Sequence, residues 1–276
     1  MEPSLQRRVQ RYGWDLAAAA YEPLWQAQLA PAHEAVMAGA ALAPGERVLD
    51  VACGTGLIAL QAARAVGPDG HVVGVDLSGR MVDAARVAVE RRVGNATFVR
   101  MDAERLALPS ASVDVALCAL GLMYLPDPGR AAREMHRVLR PGGRVVIAVW
   151  GTRARCGWAP VFPIVEAEVT SDVCPLFFRL GEPQALTQLC ADAGFDVIDE
   201  RRIAATLAYV DAEDACNAAF AAGPVALAWS RFHDHVRARV REHYLAAIEP
   251  WRSGRGYRIP GEFVVAVAST APSGRA

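Results

Sequence analysis

Val48-Leu49-Asp50-Val51-Ala52-Cys53-Gly54-Thr55-Gly56, followed 20 positions later by Asp76, is the stretch on which the fold turns. Its apolar run reads as a buried strand over 47–51, and the small residues after it read as a tight turn into a helix. Such a turn lets the backbone approach a ligand at the helix N-terminus, where free N–H groups face outward. Asp76 ends the next apolar run, where a carboxylate can take both hydroxyls of a ribose. Gly54-x-Gly56-x-x-Ala59 with Asp76 also satisfies the dinucleotide fingerprint of nicotinamide and flavin enzymes. A strand–helix turn that binds nothing is the third reading.

Outward from this turn, short apolar runs alternate with amphipathic stretches. A helix is predicted through Leu57, Leu60, Ala63 and Val66, then a strand over 71–76. Ser78 is placed to cap a helix through Met81, Ala84, Ala85 and Ala88. Strands follow over 97–101, 113–118 and 144–150, with a helix over 129–139. This alternation predicts βαβ units and a mostly parallel sheet, with ligands at the carboxyl ends of its strands. Past Trp150 it loosens. Residues 151–182 are rich in Pro and aromatics, 183–193 read as a helix, 196–209 as a strand and 262–269 as a last strand. Residues 210–256 look mainly helical, with Trp229, Phe232, Val236, Val240, Tyr244 and Ile248 on one apolar face. The whole chain, 1–276, reads as a single domain carrying 151–182 and 210–256 as insertions.

Composition narrows the function. The 276 residues carry 29 basic and 30 acidic side chains, a net charge of −1, so neither nucleic acid nor an anionic membrane is an expected partner. No apolar run approaches the ~20 residues of a spanning helix, and residues 1–11 show no apolar signal core, so a cytoplasmic protein is expected. Every basic residue is Arg, which excludes Schiff-base and P-loop lysines. Cys53, Cys118, Cys156, Cys174, Cys190 and Cys216 stand singly, and no metal site is expected.

Two carboxylates favour one ligand. Asp50 stands just before the glycines, where it would repel a pyrophosphate and attract the ammonium group of an amino acid. Asp102 closes the third strand, where a carboxylate can accept from an exocyclic adenine amine. An amino acid, a ribose and an adenine together describe S-adenosylmethionine.

Residues 47–150 resemble the class I S-adenosylmethionine-dependent methyltransferases, in particular the ubiquinone/menaquinone C-methyltransferase branch. The matching pieces run in order: 48–56 as quoted, Val75-Asp76-Leu77-Ser78 with Met81, and Asp102-Ala103-Glu104 with Leu108-Pro109. Val113-Asp114, Leu125-Pro126-Asp127 and Arg137-Val138-Leu139-Arg140-Pro141-Gly142-Gly143 complete the series. The resemblance implies an α/β, Rossmann-like, seven-stranded sheet with its last strand antiparallel, and the two loosened stretches would be helical insertions after strands five and six. It implies S-adenosylmethionine as cofactor, with Asp50, Gly54 and Gly56 at the methionine end and Ala52 in the same turn. Asp76 would hold the ribose, Asp102 and Ala103 the adenine, Leu77 and Met81 the two faces of its ring, and Ala119 would lie near the sulfonium. Met123-Tyr124 departs from the polar or His-containing pair of many relatives, so no catalytic base is carried over.

Residues 1–46 are expected to form cap helices, with Tyr12, Trp14 and Tyr21 either over the cofactor or packing outer helices. His233 and His235 would lie roughly 200° apart on a helix, unsuited to a shared metal. His136 reads as solvated, and His33 as either a proton acceptor or a satisfied helix histidine. The two insertions would form an acceptor pocket or, alternatively, a homodimer interface. The expected function is methyl transfer to a small, apolar or aromatic organic acceptor. A nicotinamide-dependent oxidoreductase and a non-catalytic cofactor-binding protein are the alternatives.

Overall fold

The structure, a computed structural model, describes residues 2–90, 92–169 and 177–272. Cys174, with 170–176 of the first insertion, lies outside the described residues. The elements in order are α1 Pro3–Ala40, β1 Arg47–Val51, α2 Leu57–Val66, β2 His71–Asp76, α3 Gly79–Glu90, β3 Ala96–Arg100 and β4 Val113–Ala119. They continue with α4 Pro128–Val138, β5 Leu139–Trp150, α5 Val161–Glu166, α6 Ala185–Asp192 and β6 Asp196–Tyr209. The last are α7 Ala212–Phe220, α8 Ala226–Arg231, α9 Asp234–Ile248, β7 Arg252–Ser253 and β8 Gly256–Ser269.

The strands form one sheet in the order β3-β2-β1-β4-β5-β8-β6, and the two-residue β7 pairs with β8. Pairing is parallel from β3 to β5, and β8 runs antiparallel to both β5 and β6. The described strands thus number eight rather than the expected seven. The extra one is the short hairpin arm β7, which turns back onto β8 through Gly254 at φ 61°. Strand order reverses between β1 and β4, the switch point where such sheets bind ligands at the carboxyl ends of their strands.

Local sequence accounts for the central strands. Val48, Leu49 and Val51 are fully buried, and so are Val115 to Cys118 of β4 and Val145 to Val149 of β5. Such continuous apolar runs suit strands covered on both faces. Gly74 is required in β2 because a Cβ there would come within 2.5 Å of the Phe98 ring of β3. Ser78 does cap α3, its Oγ accepting the Met81 N–H at 3.1 Å.

Two helical expectations change. Residues 3–40 form one helix of 38 residues, not several, and it runs through Pro23 and Pro31. Its face of Ala17, Trp25, Leu29, Ala32, Val36 and Ala40 is buried against the core, and that packing holds the helix across both prolines. The apolar face over 229–248 is broken, because α8 ends before Phe232 and α9 begins after His233. Trp229 stacks on Phe220 of α7 at 4.7 Å and Tyr244 meets the same ring at 5.3 Å. Fifteen residues of straight helix would set them about 22 Å apart, so one ring could not touch both. Among the described residues, no helix is long and apolar enough to cross a membrane.

Candidate functional site

The carboxyl ends of β1, β2 and β4, with the loop after β3, open into one cleft roofed by α1. Tyr21, Ala52, Gly54, Asp76, Leu77, Met81, Asp102, Ala103 and Ala119 line it. A smaller cavity beside it is lined by Asp50, Thr55 and His33 and shares Tyr21, Ala52, Gly54 and Ala119 with the cleft. Ten of the eleven expected cofactor residues therefore meet in one place; the exception is Gly56. Its N–H is used by the Cys53 carbonyl at 2.9 Å, and a Cβ would meet Ala85 and Phe98 at 3.2 and 3.3 Å. Gly56, at φ 86°, seats α2 against the sheet instead of facing the cleft.

The turn is strained in a specific way. Ala52 at φ 55° and Leu120 at φ 63° are both left-handed, a conformation that costs a non-glycine residue energy. They end β1 and β4 on either side of the switch point. Gly121 packs so closely between them that a Cβ there would lie 2.3 Å from that of Ala52. This narrowing brings Ala52, Ala119 and Leu120 together on the cleft wall.

Asp76 organises the turn. Its Oδ2 accepts the Gly54 N–H at 2.9 Å and its Oδ1 the Ser78 N–H at 2.8 Å. Burial raises its carboxyl to about 6, against the lowering effect of those N–H groups. Asp50, 1% exposed, is raised to about 8, by burial first and the nearby Asp76 second. Its Oδ2 and the Thr55 hydroxyl are buried with no hydrogen-bond partner. A buried carboxylate oxygen without a donor is costly, and a cationic N–H group is the partner that would satisfy it. The Tyr21 phenol is held neutral by burial and by Asp76 and Asp50.

The rest of the first helix behaves as a roof. Arg7 Nε stands 3.1 Å from Asp102 Oδ2, and its guanidinium also pairs with Glu104, which is 2% exposed. Two turns along, Asp15 Oδ1 accepts the Ser78 hydroxyl at 2.6 Å and the Arg80 N–H at 3.1 Å. Trp14 and Tyr21 face the cleft and pack edge to face at 5.7 Å. Tyr12 does not join them: it is 46% exposed, lines an outer groove with Arg80 and Leu227, and carries Arg11 over its ring.

His33 lines the small cavity beside Asp50, and burial lowers its ring to about 4, which favours the buried helix histidine of the two readings. His136 is not simply solvated; it packs on Phe195 at 4.9 Å beneath Gly194. His233 lies outside α9 as its cap residue, and its ring stacks on that of His235 at 6.0 Å rather than pointing away. Among the described residues, no cluster of three or more His, Cys, Asp or Glu could hold a metal.

The far end of the cleft combines residues of the two expected insertions with Trp25, Leu29 and Trp150, which sequence patterns did not single out as a site. Trp25 of α1, Trp150 at the end of β5 and Trp158 wall it, with Leu29, Gly223 and Pro224. Phe177 packs on Trp158 and Trp229 on Phe220, and neither lines the cleft. The insertions thus contribute Trp158, Gly223 and Pro224 to the lining. The signal for Trp25 was its position four residues after Tyr21, on the same helix face.

Residues 48–143 match the family model of a methyltransferase domain. The chain is 41% identical over 110 residues to an arsenite methyltransferase of Halobacterium salinarum, covering 40% of this chain and 28% of that one. It is 40% identical over 115 residues to a demethylmenaquinone methyltransferase of Geobacillus kaustophilus, covering 41% of this chain and 49% of that one. The matches thus span half or less of these curated relatives. A phosphoethanolamine N-methyltransferase 2 of Haemonchus contortus, solved with S-adenosyl-L-methionine, shares the fold. It superposes with a TM-score of 0.59 at 17% identity, over 93% of this chain and 57% of that one.

Proposed function

We infer, for a chain that carries a class I S-adenosylmethionine-dependent methyltransferase domain, methyl transfer to a small, largely apolar organic acceptor. The observation that carries this reading is the orphaned buried oxygen of Asp50 in the cavity next to the cleft. A cationic amino-acid ammonium is the group that such an oxygen requires, whereas the pyrophosphate of a dinucleotide would be repelled there. The residues fit S-adenosylmethionine along its length. Asp50 and Thr55 would take the amino-acid end, Asp76 the ribose, and Leu77, Met81, Asp102 and Ala103 the adenine.

When bound, the cofactor supplies a methyl carbon activated by an adjacent sulfonium. The chain's own part is orientation and exclusion of water. Ala119 lines both cavities, so the activated carbon would face the cleft past Ala119 toward the Trp25–Trp150–Trp158 end. Positioning and desolvation account for much of the rate of such in-line displacements. The two insertions and α1 would then act as lids over an acceptor site whose walls are mostly apolar.

Side-by-side calorimetric titration with S-adenosylhomocysteine and NAD tests the class. Binding of the first alone is expected, and binding of NAD alone would overturn the reading. A screen for transfer of a labelled methyl group to phenols, quinols and amines then tests the acceptor.

A further inference from the structure

The indole N–H groups of Trp25 and Trp158 are buried without a hydrogen-bond partner, although both residues wall the acceptor end of the cleft. Trp25 is 5% and Trp158 2% exposed. Buried indole N–H groups are ordinarily satisfied, and each one left unpaired costs stability. Trp25 packs edge to face on Trp150 and on Trp158, at 6.1 Å in both cases, and Trp150 meets Trp158 at 4.9 Å. Such contacts offer an N–H the face of a ring, which is a weaker partner than an oxygen.

Charge points the same way. The carboxylates that line the cleft, Asp76 and Asp102, belong to its cofactor end, as does Asp50 in the adjoining cavity. The cations that line it are Arg7 and Arg11, and the Arg11 Nε is also buried without a hydrogen-bond partner. Among the described residues, a cationic acceptor would therefore find aromatic faces there but no counter-charge, and it would leave both indole donors unmet. Trp150 lies two residues past Ala148, the β5 partner of Ala119. The tryptophan wall thus adjoins the point at which the proposed function delivers the methyl group.

We propose that Trp25 and Trp158 select the acceptor: a flat apolar molecule whose hydrogen-bond-accepting oxygen is held by their two indole N–H groups. This deepens the transferase reading and rests on it for the direction of methyl delivery, but the unpaired donors belong to residues that line the cleft whatever is transferred there.

Three probes of one shape test the proposal by calorimetry on the protein loaded with S-adenosylhomocysteine: 1-tetralone, with a carbonyl oxygen; tetralin, without it; and 1-aminotetralin, a cation. Tetralone is expected to bind at least about 10-fold tighter than tetralin, the scale of hydrogen bonds otherwise left unmade. Trp25→Phe and Trp158→Phe keep an aromatic ring in place and remove the donor, so each should cut the ratio of tetralone to tetralin affinity severalfold, a readout that the loss of ring area, common to both probes, does not move. Equal binding of tetralone and tetralin, tightest binding of aminotetralin, or a preference unmoved in both variants would overturn the proposal. Titration with S-adenosylhomocysteine alone keeps the two claims apart. If it does not bind, the transferase reading fails, and tetralone preference measured on the free protein still decides the role of the indoles.

Discussion

At the residue scale, Asp50 and Asp76 illustrate how one chemical group is given two tasks by its surroundings. Asp76 accepts backbone N–H groups with both oxygens, so it serves the turn as well as any ligand. Asp76→Asn would set an NH2 group against one of those N–H donors. The change is therefore expected to weaken S-adenosylhomocysteine binding nearly as much as Asp76→Ala, by ~1.5–3 kcal/mol in calorimetry. An asparagine variant that binds like the parent would remove the turn from the explanation. Asp50 has no such donors on Oδ2, and with its carboxyl raised to about 8 it is mostly protonated at neutral pH. An ammonium ligand favours the ionised form, so binding releases a proton. Affinity for S-adenosylhomocysteine should climb between pH 7 and 8 in the parent protein. It should be lower and flat over that range in Asp50→Asn; a pH-independent parent affinity would contradict the assignment.

At the scale of elements, α1 is held over the cleft by two polar clasps, Arg7 on Asp102 and Glu104, and Asp15 on the N-terminus of α3. Glu104 also accepts the Asp127 N–H at 3.1 Å, so its buried carboxylate joins the roof to the loop before α4. Removing Arg7 leaves that carboxylate without its cation. Because the Arg7 side chain is 30% exposed, the loss is set below that of a fully buried pair, at about 1–3 kcal/mol. Arg7→Ala should lower stability by this amount in denaturant unfolding, and Arg7→Ala/Glu104→Gln should recover part of it. A double variant no better than the single one would show that the charge of Glu104 is not what Arg7 serves.

For the whole molecule, the site is maintained against the stability of the fold. Asp50 and Asp76 both have folded-state carboxyls raised above the ordinary range, to about 8 and about 6. A group raised on folding favours the folded state below its unfolded pKa, and this contribution is lost as pH rises through the folded value. The ligand-free protein should therefore lose melting temperature from pH 5 to 8, and Asp50→Asn should flatten the upper part of that slope. A parent melting temperature that rises across this window would contradict the burial argument. As for what could be read in advance, the strand–turn–helix at 47–66, the carboxylates that end β1 and β2, Asp102 after β3 and the mostly parallel sheet were legible in the sequence. Each depends on neighbours only a few residues away, through glycine conformations, caps and apolar periodicity. The single helix α1, the break between α8 and α9, the inward placing of Trp14 but not Tyr12, and the packing of Trp229 on Phe220 outside the cleft lining were not. Trp25 and Trp158 are 133 positions apart and meet only because α1 docks across the end of the sheet. Local periodicity specifies which face of a helix is apolar, but which cavity that face completes is decided by long-range packing, and that is where the tryptophan end of this cleft was made.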